Sequence, residues 1–181
     1  MRLPSQALRE VAPNHLNLGI RYASISSDLC YEGSEYFDVF SINAYREKPD
    51  ADLIAEIHKR TGSPVMIGEF HHGAIDRGLP STGIYGVATQ EERGTAYRYY
   101  VEQGGALPAL VGMHYFQLND QPVLGRFDGE NYNIGLVDIC NQPHQEMTGI
   151  VTETNEKLYE VVSGRRPPTP QRARPIPRIY F

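Results

Sequence analysis

The stretch "VMIGEFHHGAIDRG", residues 65–78, decides how the fold and the chemistry of this chain are interpreted. An apolar run at residues 65–67 stops abruptly at Gly68-Glu69, and two histidines follow. A short apolar run of this kind predicts a buried strand. A carboxylate at the end of such a strand is costly to desolvate unless it has polar partners. The stretch therefore predicts that Glu69 lies in a polar site where the strand ends.

Outward from this strand, strand and helix patterns alternate four times along the chain. Strands are predicted at 16–22, 38–44, 65–69 and 109–116, and helices at 5–13, 27–36, 50–60, 89–103 and 145–163. A long polar loop at 117–143 precedes the last helix. This order is typical of β/α units that build a parallel sheet. Strands of such sheets are buried on both faces, so the predicted core includes Val39, Ile42, Val65, Ile67, Val111 and Met113.

The overall composition narrows the class of protein. The chain has 181 residues, of which 40% are apolar, and this fits one domain with its own core. The net charge of -5 argues against a nucleic-acid partner, because phosphate-binding proteins usually carry a basic surface. No apolar stretch approaches the length of about 20 residues that a membrane span needs. The first residues lack the apolar core of a signal peptide, so the expected location is the cytosol, or outside the cell if an export signal precedes this sequence.

The composition changes after Gly164. Residues 165–181 contain five arginines and five prolines but no acidic residue. Proline disrupts the interior of helices and sheets, so residues 1–164 are interpreted as the α/β domain and residues 165–181 as an extended Pro/Arg-rich tail. The tail is expected to pack along the domain through Ile176, Ile179, Tyr180 and Phe181.

Polar residues occur where each predicted strand finishes. They are Arg21 on the first strand, Asn43 and Tyr45 on the second, Glu69 on the third, and His114 and Gln117 on the fourth. In parallel α/β proteins, functional residues gather at the carboxyl ends of the strands. We therefore expect one site, in which Arg21 and Tyr45 keep Glu69 ionised so that it can act as a nucleophile. The alternative is a structural Glu69 that caps a helix or forms a salt bridge.

Four segments together resemble the C-terminal half of a clan A glycoside hydrolase, and among these the β-agarases and related barrel enzymes that act on galactose-containing polysaccharides. The segments are "DVFSINAY" (38–45), "PVMIGEF" (64–70), "VGMHYFQLNDQP" (111–122) and "GRFDGENYNIGLVDI" (125–139). The resemblance covers residues 5–163. It implies part of a (β/α)8 barrel, with about four parallel strands and their helices, and a hydrolysis that retains the anomeric configuration.

The resemblance also implies roles for individual residues. Glu69 matches the nucleophile at the end of the seventh barrel strand, and Tyr45 matches the tyrosine that holds this nucleophile. Tyr115 stands on the eighth strand where a tryptophan that contacts the sugar is expected. The loop after this strand resembles one that lines the substrate cleft; alternatively, turns at Gly125 and Gly129 organise it by themselves. The candidate substrate-binding residues are Arg21, Asn43, His71, His72, His114, Tyr115, Gln117, Asp120, Gln121, Arg126, Asp128, Glu130 and Asn131.

The second carboxyl group of a retaining enzyme is not found in this sequence. Retaining hydrolysis needs an acid/base carboxyl about 5–5.5 Å from the nucleophile, and the resembled family takes it from an Asn-Glu pair that ends the fourth strand. The Asn-Glu pair of this chain, Asn155-Glu156, falls in the last predicted helix. Four β/α units also leave two open sheet edges. We therefore expect completion by a second copy of the chain or by a missing N-terminal half, with an oligo- or polysaccharide as substrate.

Two other functions fit the sequence. The second hypothesis, after the glycoside hydrolase, is an inactive carbohydrate-binding or assembly half-barrel that keeps the cleft residues but does no chemistry. A metal hydrolase would need His71, His72, Asp76 and His114 to converge, but neighbouring residues of an extended segment point in opposite directions. No metal or other cofactor is therefore expected. His71 or His72 is instead expected to bond a sugar hydroxyl or the catalytic carboxylate, with an exposed loop histidine as the alternative.

Overall fold

A computed structural model describes residues 1–178 and shows an α/β fold built on four parallel strands. The helices are α1 (Arg2–Val11), α2 (Ala51–Thr61), α3 (Gln90–Gly105) and α4 (Gln145–Val162). The strands are β1 (Arg21–Tyr22), β2 (Phe40–Asn43), β3 (Val65–Phe70), β4 (Gly86–Val87), β5 (Leu110–Tyr115) and β6 (Pro175–Ile176). One sheet has the order β1-β2-β3-β5, and β4 pairs with β6. The predicted parallel α/β architecture is confirmed.

The pairing of the four strands is parallel throughout. β2 pairs in parallel with β1 and with β3. At the start of β3 the amide of Val65 donates to the carbonyl of Ala109 over 2.8 Å, and at its end the carbonyl of Phe70 accepts from the amide of Phe116 over 2.8 Å. The start of β3 therefore lies beside the start of β5, and the end of β3 lies beside the end of β5. The carboxyl ends of these strands thus share one edge of the sheet.

The chain divides into two compact units. The sheet unit comprises residues 1–44, 49–69 and 107–114, and the helical unit comprises residues 45–48, 70–106 and those from 115 on. In the sheet unit, the ring of Phe40 is stacked between Tyr22 (5.3 Å) and Tyr31 (5.6 Å). Its other buried apolar residues include Ile42, Ile54, Ile57, Val65 and Ile67.

The two helices with the clearest sequence signals form as predicted. The side chain of Asp50 accepts from the amide of Leu53 (3.1 Å) at the start of α2, and Gly62 ends the helix in the left-handed conformation at φ 69°. In α3, the Thr89 side chain accepts from the amide of Glu92 (3.2 Å), while the Glu92 carboxylate accepts from the amide of Ala88 (2.9 Å). Both bonds satisfy amides at the start of the helix as in a capping box, except that Glu92 bonds the amide of the residue before the cap.

The helical unit is organised by α3 and α4, which pack together. Gly94 lies at their contact, where a methyl group in place of its hydrogen would come within 2.7 Å of Ile150. The hydroxyl of Tyr97 donates to the side chain of Asn155 over 3.0 Å. The ring of Phe70 stacks on Tyr100 with centroids 4.2 Å apart.

Several elements differ from the sequence-based expectation. The predicted strand at 16–22 shrinks to the two residues of β1, and the predicted helix at 27–36 consists of two short 3-10 turns, Asp28–Tyr31 and Ser34–Tyr36. The prediction that Val111 is a core residue is wrong, since its side chain is 61% exposed, and Met113 is half-buried. β5 is an edge strand of the described sheet, so these side chains lack the neighbours that a second flanking strand supplies.

The Pro/Arg-rich tail packs on the helical unit as far as it is described. β6 pairs antiparallel with β4, and Ala173 is buried in a cluster with Ala74, Val87 and Ala96. The expected packing of Ile179, Tyr180 and Phe181 lies outside the described residues. Within residues 1–178, none of the helices combines the length and apolar character required to cross a bilayer.

Candidate active site

A β-bulge fixes the position of Glu69. Ile42 of β2 pairs with Ile67 of β3, but the next residue, Asn43, pairs with Glu69, so Gly68 is the extra residue of the bulge. Bulges locally re-aim side chains and are frequent beside active sites. The apolar strand runs into a glutamate because the inserted glycine brings that glutamate opposite Asn43.

The carboxylate of Glu69 has a donor on each oxygen. Arg21 Nη2 lies 2.7 Å from Oε1, and Asn43 Nδ2 donates to Oε2 over 2.7 Å. The Glu69 side chain is 13% exposed, whereas that of Arg21 is 54% exposed. A shielded carboxylate is tolerated because it has both an opposite charge and a hydrogen bond. Its two oxygens are thereby held in one orientation at the carboxyl end of β3.

Gly68 also makes room for the arginine. A methyl group at this position would come within 2.5 Å of Arg21 Cγ and 2.7 Å of the Ser41 hydroxyl oxygen. Both distances are shorter than real carbon contacts, so a larger residue would displace the Arg21 side chain. The glycine thus serves both the register of the strand and the ion pair.

Tyr45 lies in the helical unit with its ring against His71. The two ring centroids are 4.6 Å apart at a tilt of 52°. Tyr45 directly follows Ala44, whose amide donates to the carbonyl of Glu69 over 2.9 Å. The contact of the Tyr45 hydroxyl with the Glu69 carboxylate stays a prediction.

His71 is a buried, neutral imidazole with a defined tautomer. Its Nε2 accepts from the amide of Ile84 over 2.9 Å, so the proton of the neutral ring resides on Nδ1. Burial, and then the charge of Arg93, lower the pKa of His71 from 6.5 to about 3. Nδ1 is buried and has no hydrogen-bond partner within residues 1–178. His71 therefore presents an N–H donor that the described part of the protein does not use.

His72 is fully buried and acts through its backbone. Its carbonyl accepts from Arg93 Nε (2.7 Å) and from the Tyr115 hydroxyl (3.0 Å), and its ring lies edge-on to Tyr85 at 5.1 Å. Burial, followed by the influence of His71 and Arg93, lowers the pKa of His72 well below its ordinary value. A contact of this ring with a sugar stays a prediction, although the ring is 0% exposed.

We expect these two histidines to make the protein less stable in acid. In the unfolded chain both rings take up a proton near pH 6.5, whereas in the folded protein they stay neutral down to about pH 3 for His71 and to a low pH for His72. The stabilisation is complete above pH 6.5 and is lost as the pH falls toward 3. Each histidine contributes a slope of about 1.4 kcal/mol per pH unit to the free energy of unfolding.

Urea denaturation across this pH range measures the slope. His72→Phe should remove about half of the histidine contribution, whereas His58→Gln, which changes an exposed ring on α2, should leave the slope intact. A free energy of unfolding that stays constant between about pH 6.5 and pH 5 would contradict the burial of two neutral rings.

Arg93 is the hub of the helical unit, and sequence reasoning did not identify it. This fully buried guanidinium donates to the carbonyls of His72 (2.7 Å) and Gly135 (2.7 Å), to Gln90 Oε1 (2.5 Å) and to the Tyr115 hydroxyl (3.2 Å). It therefore joins the segment after β3, the end of β5 and the long loop. α3 carries two arginines, and no local pattern distinguishes Arg93 from its neighbour Arg98.

Asp120 anchors the long loop to this hub. Its Oδ1 accepts from the amide of Gly135 (2.7 Å), and its Oδ2 accepts from Asn133 Nδ2 (3.1 Å) and lies 3.0 Å from His144 Nε2. Asn133 in turn accepts from Gln90 Nε2 (2.8 Å), which Asp76 also contacts at 3.3 Å. The Asp120 carboxylate is thus buried, and both of its oxygens have partners within the protein. Its contact with a sugar stays a prediction.

The rest of the loop is organised by its own side chains. Gln121 is buried; its Nε2 donates to Glu130 (2.8 Å), and its Oε1 accepts from the amide of Tyr132 (2.7 Å). Arg126 bonds the carboxylates of Asp128 (2.5 Å) and Glu130 (2.8 Å). The hydrogen bond from Arg126 is the largest of several effects that lower the pKa of Asp128. Turns at Gly125 and Gly129, with φ of 85° and 90°, complete the loop as the sequence suggested.

The remaining candidates lie along β5 and just after it. His114 is exposed, Gln117 Nε2 donates to the carbonyl of Asn119 (3.0 Å), and Asn131 Oδ1 is buried without a partner in residues 1–178. The Tyr115 hydroxyl is engaged with His72 and Arg93, as described above. Across the described residues, no three His, Cys, Asp or Glu side chains are grouped so that they could hold a metal ion.

Comparison with known proteins finds relatives of this chain among the beta-agarases. The chain is 38% identical to beta-agarase B of Vibrio sp. (strain JT0107) over 159 residues, and 37% identical to beta-agarase A of the same organism over 161 residues. Its fold matches a solved exo-beta-agarase with a TM-score of 0.81 and 37% identity, over 87% of this chain and 21% of that one. This chain is similar to beta-agarases. No model of a protein family matches it.

The similarity is confined to a part of these relatives. The matched region covers 84% of this chain but 16% of beta-agarase A and 16% of beta-agarase B. The parallel α/β fold is shared with solved agarases, at a TM-score of 0.81, and it is consistent with part of a barrel.

Proposed function

We propose that this chain is the nucleophile-bearing part of a retaining glycoside hydrolase that acts on galactose-containing polysaccharide. The observation that carries the proposal is the Glu69 carboxylate, held between Arg21 and Asn43 at the carboxyl end of a parallel strand. The similarity to proteins named beta-agarases supports the substrate class. The resemblance of the segments around Glu69 and Tyr45 supports the assignment of the nucleophile.

In the proposed first step, a Glu69 oxygen attacks the anomeric carbon and the bond to the leaving oxygen breaks, giving a covalent glycosyl ester. An acid/base carboxyl gives its proton to the leaving oxygen and later takes one from the water that cleaves the ester. Asn43 and Arg21 orient the nucleophile, and Tyr45 is proposed to donate to it. The Nδ1–H of His71 is proposed to donate to a sugar hydroxyl, because it is a fixed donor without a partner in residues 1–178.

The acid/base carboxyl is proposed to come from outside this chain. The Asn-Glu pair at 155–156 lies within α4, where Asn155 accepts from Tyr97. β1 and β5 are the edges of the described sheet, and Val111 on β5 is exposed. Further β/α units, from a second copy or from a preceding segment, would pair with these edges and complete a (β/α)8 barrel. Sedimentation equilibrium separates these two ways of completing the barrel, since only the first requires a dimer of this chain.

A catalytically inactive, carbohydrate-binding half-barrel is the second candidate function. It is favoured by the position of the Asn-Glu pair in a helix, which leaves Glu69 without a recognised acid/base partner. The two candidates differ in one respect that can be measured, because only the first requires a reactive carboxylate.

An activated substrate tests the proposal without the acid/base. A dinitrophenyl β-galactoside releases a stable phenolate that needs no proton, so the nucleophile alone can expel it. We expect the chain to release dinitrophenolate. We expect it to cleave agarose more slowly than it releases dinitrophenolate, by a factor of about 10² to 10⁴, which is the usual contribution of acid/base catalysis. Folded protein that releases no phenolate would support the inactive half-barrel instead.

A further inference from the structure

The tip of the long loop, residues 122–130, exposes two large apolar side chains. Leu124 is 99% exposed and Phe127 is 98% exposed. Among the phenylalanines and tyrosines of residues 1–178, only Phe127 and Tyr159 are exposed. Exposure of a single apolar side chain is ordinary, but an exposed aromatic ring has a face that can stack on a ligand.

The loop tip is ordered although it protrudes. The amide of Gly125 donates to the carbonyl of Pro122 (2.8 Å), the amide of Arg126 to that of Glu130 (2.8 Å), and the amide of Gly129 to that of Arg126 (2.9 Å). The side chain of Arg126 bonds both neighbouring carboxylates. The ring of Phe127 is thus presented on a constrained backbone, which reduces the entropy that a ligand must overcome on binding.

A row of stacked groups connects the loop tip to the segments that follow β3 and β5. Arg126 Cζ lies 5.8 Å from the centre of the Phe127 ring and 5.6 Å from the centre of the Phe116 ring. The Phe116 ring lies 6.5 Å from that of His71. Such contacts of a guanidinium with aromatic faces are attractive. Phe127 therefore stands at the outer end of a row that begins with the proposed sugar-binding histidine.

We propose that Phe127 is a stacking platform for a pyranose ring of the polysaccharide; this rests on the proposed function. The apolar C–H face of a galactose ring complements an aromatic face, while its hydroxyls need polar neighbours at the rim. Arg126 and Asp128 flank Phe127 in the sequence and are bonded to each other, so a donor and an acceptor stand on either side of it along the chain. The chain contains no tryptophan, so phenylalanine or tyrosine must provide any such face.

Binding of an agarose-derived hexasaccharide tests the platform. The measurement uses calorimetry on the 181-residue chain with Glu69→Gln, which prevents turnover. We expect Phe127→Ala to weaken binding about tenfold, and Phe127→Tyr to stay within about twofold because the ring is kept. Tyr159→Ala is the control, since it removes the other exposed aromatic ring, which is 76% exposed on α4, and it should leave the affinity unchanged.

The outcomes separate this inference from the proposed function. Weaker binding by Phe127→Ala supports the platform even if no phenolate is released from the activated galactoside. Unchanged affinity, equal losses in the Tyr159 control, or no hexasaccharide binding at all would overturn it. It would also be overturned if Phe127→Ala turned a dimer into a monomer in sedimentation velocity, because the ring would then contact a second copy.

Discussion

Replacing Glu69 with glutamine is expected to abolish the release of dinitrophenolate, with a fall of about 10³-fold or more. The amide keeps the size of the side chain and can still face Asn43, but it lacks the negative oxygen that bonds to the anomeric carbon in the proposed mechanism. It also removes the ion pair with Arg21, which lies 2.7 Å away. The measurement is the initial rate with the activated galactoside.

A covalent trap sharpens this test. A 2-fluoro analogue of the activated galactoside slows the second step, so that the glycosyl ester accumulates and one sugar mass is added to the peptide that contains residue 69. Glu153→Gln serves as the control, because Glu153 lies on α4 and pairs with Arg98 and Lys157; it should label like the unchanged chain. Label on a different carboxylate would show that Glu69 is not the nucleophile.

Arg93→Met is expected to cost about 3–5 kcal/mol of the free energy of unfolding. Methionine fills the space but donates nothing, so the carbonyls of His72 and Gly135 lose a charged donor in a buried environment. Urea denaturation at neutral pH measures the loss. Arg98→Met is the control on the same helix, and it should cost about 1 kcal/mol or less because its ion pair with Glu153 is partly exposed.

Two further results would bear on the hub. Arg93→Lys keeps the charge but not the forked set of donors, so its stability should fall between those of the unchanged chain and Arg93→Met. If Arg93→Met does not fold, the lysine variant supplies the measurement. Equal costs for the Arg93 and Arg98 variants would mean that the buried hydrogen bonds contribute nothing beyond an ordinary surface contact.

The sequence predicted correctly those helices and strands that are marked by a pattern of a few consecutive residues. α2 begins after Asp50 and ends at Gly62, and α3 begins after Thr89, because a cap is a feature of a few consecutive residues. The apolar runs of β2 and β3 were found for the same reason. The pair formed by β4 and β6 was not, since it joins residues 86–87 to residues 175–176 and each strand has only two residues.

The candidate site shows the same limit. Glu69 stood out because a carboxylate ending an apolar run is unusual within a few residues. Arg93 did not, because its burial depends on carbonyls that lie 21 and 42 residues away. Val111 was misplaced since an apolar residue in a strand predicts burial only if both sides of that strand have neighbours. The sequence also did not indicate that loop side chains such as Asp120 would form hydrogen bonds within the protein.

Because Gly68 is an inserted residue, the face of the sheet on which the Glu69 side chain lies is set by the number of residues in β3. Any chimera or graft that transplants this strand must preserve the number of residues between Ile67 and Glu69, because strand side chains alternate and a slip of one exchanges the faces. In a hybrid with such a slip, the side chain of Glu69 would face the opposite side of the sheet from Asn43 and Arg21.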